Sequence, residues 1–144
     1  MRTFTLQEAQ SLLPVIESLV RRAKAALEKS QKFESDMQEL TQRIHFNGGT
    51  FVDVAVVARR RAERDVAVRE AKDTLAEMDA IGVQVKDIHT GLLDFPCQLD
   101  GQIVLLCWRL GETEIGFWHT MDGGFAGRQP VDERFSKSKR DRLN

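Results

Sequence analysis

Hydrophobic residues recur along the first third of the chain with the spacing of an amphipathic helix. From Ala9 to Ile44 the apolar positions are separated by alternating steps of three and four residues. This heptad pattern is typical of a long helix that packs against another helix. Thr5 and Glu8 fit a capping box, so the helix should begin at Thr5. The pattern consists of Ala9, Leu12, Ile16, Leu19, Ala23, Ala26, Ser30, Phe33, Met37, Leu40 and Ile44.

Two features interrupt or end this first helix. We expect Pro14 to kink the helix or to separate a short first helix, because its ring clashes with the carbonyl four residues earlier. The breaker Asn47-Gly48-Gly49 then ends the pattern. A second helix is predicted from about Thr50 to Ile81, with Gly82 at its end.

The second helix has a less regular apolar face, which is mostly Val and Ala. A strict heptad would place Arg61 or Arg64 on this face, so we expect a local shift in register there. The predicted face consists of Val54, Ala55, Val57, Ala58, Ala62, Val66, Val68, Ala71, Leu75, Met78 and Ile81.

A short turn between long helices predicts an antiparallel hairpin in which facing residue numbers sum to about 96. Acidic and basic residues then lie level with each other on the two helices. Such surface ion pairs select the alignment of the helices but contribute little to the stability of the fold. Glu34, Asp36 and Glu39 lie level with Arg59, Arg60 and Arg61, and Arg21, Arg22 and Lys24 lie level with Glu70, Asp73 and Glu77.

After Gly82 the pattern changes to the alternation of β-strands. Extended segments are predicted at 83–88, 92–99, 102–110 and 114–119. The dipeptide Asp100-Gly101 is a strong hairpin signal, and a two-residue turn there pairs Phe95 with Leu106. The predicted fold class is therefore α+β: a long, coiled-coil-like antiparallel helical hairpin followed by a small antiparallel β-meander of three to four strands.

The predicted register assigns side chains to the two faces of the sheet. The core face is expected to carry Phe95, Cys97, Leu99, Val104, Leu106, Trp108, Leu110, Ile115 and Phe117. The other face is expected to carry Asp94, Gln98, Ile103, Leu105, Cys107, Arg109, Glu114 and Trp118. Cys97 and Cys107 lie on opposite faces and should form no disulfide. Asp94 and Arg109 share a face and are predicted to form a structural ion pair.

Composition and charge limit the class of protein. The 144 residues include 21 Lys and Arg against 22 Asp and Glu, which disfavours nucleic-acid binding through global basicity. We expect no signal peptide and no membrane span. Two cysteines suit a reducing cytoplasm. We predict a single domain over 1–130, with the hairpin at 1–82 and the sheet at 83–130, and a mobile basic tail at 131–144.

Ionisable and reactive side chains that could form a functional site concentrate between His89 and Arg128. The glycine-rich loop Met121–Arg128 suits either anion binding or a plain tight connection. His119 with Asp122, joined by Asp94 or His89, suits a metal. Because no ligand pair has a fixed spacing, we predict neither a metal nor another cofactor. Cys107 beside Arg109 suits either a nucleophile or a small buried side chain.

The chain resembles a family of bacterial proteins of unassigned function, domain of unknown function 2203. The resemblance rests on Phe4-Thr5-Leu6-Gln7-Glu8-Ala9, Thr90-Gly91-Leu92-Leu93-Asp94-Phe95-Pro96, Leu106-Cys107-Trp108-Arg109-Leu110-Gly111-Glu112, Phe117-Trp118-His119 and Gly124-Phe125-Ala126-Gly127-Arg128-Gln129-Pro130. It implies a bacterial cytoplasmic protein and no particular activity. The motif positions indicate a ligand-binding set of Asp94, Trp108, Arg109, Glu112, Trp118, His119 and Arg128, with Gly127 beside them.

These observations favour a non-enzymatic module that forms a homodimer through its hairpin and binds a small anionic ligand or a protein partner on its sheet. The alternative is a small, metal-assisted enzyme with a site near His119, Asp122, Asp94 and Glu112. The run Arg59-Arg60-Arg61 and the basic tail would suit nucleic-acid binding. The matching acids on the first helix instead favour a solvated helix face whose arginines form ion pairs with those acids.

Overall fold

Two long helices form one layer of the fold. In this computed structural model, which describes residues 1–46 and 54–136, α1 spans Leu6–Phe46 and α2 spans Val54–Ile81. The predicted capping box is confirmed, because the Thr5 and Glu8 side chains each bond the other residue's amide, at 3.0 and 3.2 Å. The predicted turn at 47–49 and the predicted start of α2 at Thr50 lie outside the described residues.

The helix α1 passes through Pro14 without a break, so of the two alternatives the separate first helix is wrong. Pro14 is exposed, whereas Leu13 and Ile16 on either side are buried in the core. Packing on both sides of the proline thus holds the helix together despite one missing backbone hydrogen bond.

The predicted heptad on α1 is confirmed as far as Ser30, because over this stretch it supplies six of the eight residues that the helix buries. The buried set is Ala9, Leu13, Ile16, Leu19, Val20, Ala23, Ala26 and Ser30. Ser30 is tolerated in this row because its hydroxyl donates a hydrogen bond to the Leu27 carbonyl at 2.7 Å.

The buried row of α2 differs from the predicted one. It consists of Ala67, Ala71, Thr74 and Met78, whereas Val54 and Val66 are exposed. Continued towards the N-terminus, this row reaches Arg64, which is half-buried and pairs with Glu34 of α1 at 2.9 Å. The expected register shift is therefore wrong, because an ion pair allows arginine on the packed face.

A five-stranded antiparallel sheet forms the second layer, in the order β1-β2-β3-β4-β5. The strands are β1 (Gln84–Asp87), β2 (Leu92–Leu99), β3 (Gln102–Arg109), β4 (Phe117–Thr120) and β5 (Gln129–Pro130). The α+β meander is confirmed, with β5 in addition to the predicted strands. Neither helix of the described chain has a stretch that is apolar enough and long enough to cross a membrane.

The β2–β3 register is the predicted one, with Phe95 opposite Leu106 across the Asp100-Gly101 turn. The predicted faces of β4 are wrong, because Leu106 lies opposite Trp118 and Cys107 lies opposite Phe117. The connection after β3 differs by one residue from the expected length, and such a slip exchanges the two faces of a strand. Trp118 therefore packs in the core, and Phe117 lies on the opposite face.

One hydrophobic core joins the two layers. It contains Ile16 and Val20 of α1, Met78 of α2, and Phe95 and Trp108 of the sheet. Phe135 also belongs to this core and packs against Trp118, with ring centroids 5.8 Å apart. The first residues of the predicted tail thus pack on the sheet, while residues 137–144 lie outside the described chain.

Candidate functional site

The face of the sheet opposite the helices carries the site, and we call it the second face. Three strands contribute to it in two adjacent rows, which follow directly from the strand register. The rows are Asp94, Cys107 and Phe117, then Pro96, Leu105 and His119. Asp94, Leu105, Cys107 and His119 are each at most 3% exposed.

Asp94 and His119 meet across the central strand of the sheet. They lie on β2 and β4, which are separated by β3, and Asp94 Oδ1 is 3.0 Å from His119 Nε2. Their side chains are 2% and 4% exposed. A polar pair so far from water depends on its mutual hydrogen bond, because neither group can recover the bonds it made to solvent.

The contacts of His119 determine the orientation of its ring. Its Nδ1 is 2.7 Å from the Thr120 carbonyl oxygen, which can only accept a hydrogen bond. Nδ1 therefore donates to this carbonyl, and Nε2 is directed at Asp94 Oδ1.

Cys107 completes a cluster of three possible ligands. One ligand atom each of Asp94, Cys107 and His119 lies within 4.8 Å of the other two. Burial raises the pKa of the Cys107 thiol to about 11, and the negative charge of Asp94 contributes to the rise, while Arg128 opposes it. At neutral pH Cys107 is thus a thiol, which argues against the nucleophile considered from the sequence.

Arg128 and Glu112 form a second, shallower group beside this cluster. Arg128 Nη2 lies 2.8 and 3.0 Å from the two carboxylate oxygens of Glu112. The guanidinium carbon lies 4.2 Å from the ring centroid of Phe117 and 4.9 Å from that of Phe125. Burial opposes the charge of Arg128, but the bonds to Glu112 outweigh it and raise the pKa of Arg128.

Glu112 also orders the turn that follows β3. Its carboxylate accepts a hydrogen bond from the Arg109 amide at 2.7 Å, and its carbonyl accepts one from the Trp108 indole at 3.0 Å. Arg128 Nη2 in addition donates to the Cys107 carbonyl at 3.3 Å. The turn, the end of β3 and the segment before β5 are therefore joined through two charged side chains.

The structure divides the seven predicted binding residues into two pairs, two core residues and one exposed residue. Asp94 pairs with His119, and Glu112 pairs with Arg128. Trp108 and Trp118 lie in the core, so the prediction that Trp118 is on the other face is wrong. Arg109 is exposed. The predicted ion pair between Asp94 and Arg109 is also wrong, because the shifted face of β4 brings His119 to Asp94 instead.

The residues of the alternative, metal-assisted site are brought together only in part. Asp94 and His119 meet, but Asp122 and His89 are exposed and Glu112 is engaged by Arg128. The third member of the cluster is Cys107, for which the sequence suggested only a nucleophile or a packed side chain. Its position could have been found from the Asp100-Gly101 turn, which places it directly opposite Asp94.

The other basic residues considered from the sequence differ in how they are engaged. The cation of the glycine-rich loop, Arg128, is held by Glu112. Within the described residues, the ion pair between the two helices joins Glu34 to Arg64 rather than to the Arg59–Arg61 run. The basic residues of the predicted tail beyond 136 lie outside the structure's description.

Comparisons with known proteins support the resemblance noted from the motifs. Neither the search of curated proteins nor that of solved structures found a match. The comparison with protein families matches residues 2–131, which include both helices, all five strands and every residue of the two groups described above. The chain belongs to the family of uncharacterized conserved proteins DUF2203.

Proposed function

We propose that this protein is a non-enzymatic interaction module of the cytoplasm that forms a homodimer through the distal half of its hairpin. The distal half comprises residues 31–46 of α1 and 54–66 of α2. The observation that carries the proposal is its burial: not one described residue in these two ranges is buried. The cytoplasmic location is supported by two cysteines that form no disulfide.

Apolar side chains remain accessible along this distal half. Phe46, Val54 and Val66 are exposed, and four members of the α1 heptad are half-buried: Phe33, Met37, Leu40 and Ile44. Two helices without a third layer cannot cover such a surface. A second copy is the simplest partner, because antiparallel hairpins present the same heptad surface to each other and close a symmetric assembly.

The sheet supplies the proposed surface for a ligand or a protein partner. Of the predicted binding residues, Arg109, Glu112 and Arg128 reach the surface, while Asp94 and His119 lie beneath it. Phe125 stacks on Arg128 and is 45% exposed. An arginine held between aromatic rings is a common anchor of protein interfaces, because it is already ordered before binding.

The burial of the Asp94 cluster favours this module over the metal-assisted enzyme. A substrate must reach the reacting groups, but Asp94, Cys107 and His119 expose almost none of their surface. Glu112 and Asp122 lie outside the cluster, so the four residues of the enzyme hypothesis form no common site in the described chain.

The proposal is tested by measuring the mass of the full chain by light scattering over a range of concentrations. We expect the wild type to have the mass of a dimer. Val66→Glu should shift the mass to that of a monomer, because it places a charge in the proposed interface. Val66 is exposed in the single chain, so the substitution should leave the fold intact.

Val15→Glu is the matched control. Val15 is 53% exposed and Val66 is 64% exposed, but Val15 lies at the sheet end of the hairpin. This variant should remain a dimer. A wild-type protein that is monomeric at high micromolar concentration, or a dimer lost equally in both variants, would contradict the proposed interface.

A further inference from the structure

Asp94, Cys107 and His119 present a carboxylate oxygen, an imidazole nitrogen and a sulfur within 4.8 Å of one another. We propose that these three side chains bind one Zn²⁺ ion, which links β2, β3 and β4 beneath the surface. This binding site is separate from the dimer interface and lies beneath the surface formed by Arg128, which donates a hydrogen bond to the Cys107 carbonyl.

The donor set matches the ion. Zn²⁺ accepts sulfur, nitrogen and oxygen ligands in tetrahedral geometry. Three protein ligands leave the fourth position for a water molecule. The separation of 3.0 Å between Asp94 Oδ1 and His119 Nε2 is close to the edge of such a tetrahedron, so this pair needs little movement.

His119 is already oriented as a metal ligand. Metal-binding histidines usually donate a hydrogen bond from the other ring nitrogen to a carbonyl or a carboxylate, which fixes the ring and its tautomer. Here Nδ1 faces the Thr120 carbonyl at 2.7 Å and leaves Nε2 directed at the cluster. This bond is made by the residue adjacent in the chain, so it is present without the metal.

The experiment uses the untagged full chain, freed of metal with a chelator and titrated with Co²⁺ as a spectroscopic probe. We expect one Co²⁺ per chain, an intense tetrahedral visible spectrum and a near-ultraviolet charge-transfer band from thiolate to cobalt. Zn²⁺ should displace Co²⁺ and abolish these bands. Titration calorimetry in buffers of different ionisation enthalpy should show that protons are released on binding, because the Cys107 thiol must ionise to bind the ion.

Matched variants identify the ligands. Cys107→Ser should lose the charge-transfer band, whereas Cys97→Ser should keep it, because Cys97 is an equally buried thiol on the opposite face of the same sheet. Asp94→Asn should weaken Co²⁺ binding by at least about 10-fold, since even residues outside the ligand set have effects of that size. Circular dichroism checks that each variant is folded.

The wild-type measurements test the proposal even if a variant fails to fold. A chain that binds no Co²⁺, binds it without a thiolate band, or releases no protons overturns the site. Loss of the band in Cys97→Ser with its retention in Cys107→Ser also overturns it.

Discussion

The two ends of the helical hairpin follow one heptad pattern but differ in how deeply they are buried. At the sheet end, α1 buries eight residues between Ala9 and Ser30, and α2 buries four between Ala67 and Met78. In the distal half the same pattern continues without a buried residue in the described ranges. The pattern therefore shows which side of a helix faces its neighbour, but whether that side is buried depends on a further layer such as the sheet.

Polar pairs differ between the two ends in the same way. Asp94 and His119 at the sheet end are almost fully buried, whereas Arg64 and Glu34 in the distal half have side chains that are 28% and 52% exposed. Because water screens the second pair and not the first, we expect very different effects from breaking them. Three predictions test this contrast.

The largest effect is expected from Asp94→Ala. Removing the carboxylate leaves His119 buried beside β3 without its partner, and the loss of one member of a buried pair costs about 3–5 kcal/mol of unfolding free energy. Urea unfolding of the metal-free chain in chelator measures this loss. Glu34→Ala is the distal control and should cost about 1 kcal/mol or less. Equal losses in the two variants would refute the contrast.

A second prediction compares the same substitution at two positions of the α1 heptad. Ile16 is fully buried and Ile44 is half-buried. Ile16→Ala should lower the unfolding free energy by about 2–5 kcal/mol, because it leaves a cavity in the core. Ile44→Ala should cost about 1 kcal/mol, because water already reaches that side chain.

Urea unfolding followed by circular dichroism measures both isoleucine variants, and dilute protein keeps the chain monomeric. A dimer that covers the distal half would increase the cost of Ile44→Ala with protein concentration, whereas the cost of Ile16→Ala should stay constant. A distal loss as large as the core loss in dilute protein would mean that the hairpin is buried along its whole length.

The sequence predicted the parts of the fold that depend on local signals. The capping box placed the start of α1, and Asp100-Gly101 determined the β2–β3 register, which correctly separated Cys97 from Cys107. The residue numbers of facing positions on the two helices were predicted to sum to about 96. Those of the Glu34–Arg64 pair sum to 98, which confirms this alignment within a fraction of a turn.

The parts that failed depend on features without a local signal. The number of residues in the connection after β3 decides which face of β4 is buried, and no residue type in this connection specifies that number. The one-residue difference in the length of this connection exchanged the predicted faces of Trp118 and Phe117. For the same reason, the contact between His119 and Asp94 was not predicted. On α2, the small residue Ala67 and the polar Thr74 were missed, since burial there depends on contact with α1.

The smallest effect is expected from the ion pair in the distal half. A double-mutant cycle of Glu34→Ala and Arg64→Ala should give a coupling energy of about 0.2–1 kcal/mol. This value should fall at high salt, because mobile ions screen a pair that is open to water. The hydrogen bonds to Glu34 and Asp65 raise the pKa of Arg64, so its guanidinium stays charged at neutral pH. A coupling energy above about 2 kcal/mol that resists salt would show that the pair is buried in solution, and the covering of the distal half by a second chain would account for it.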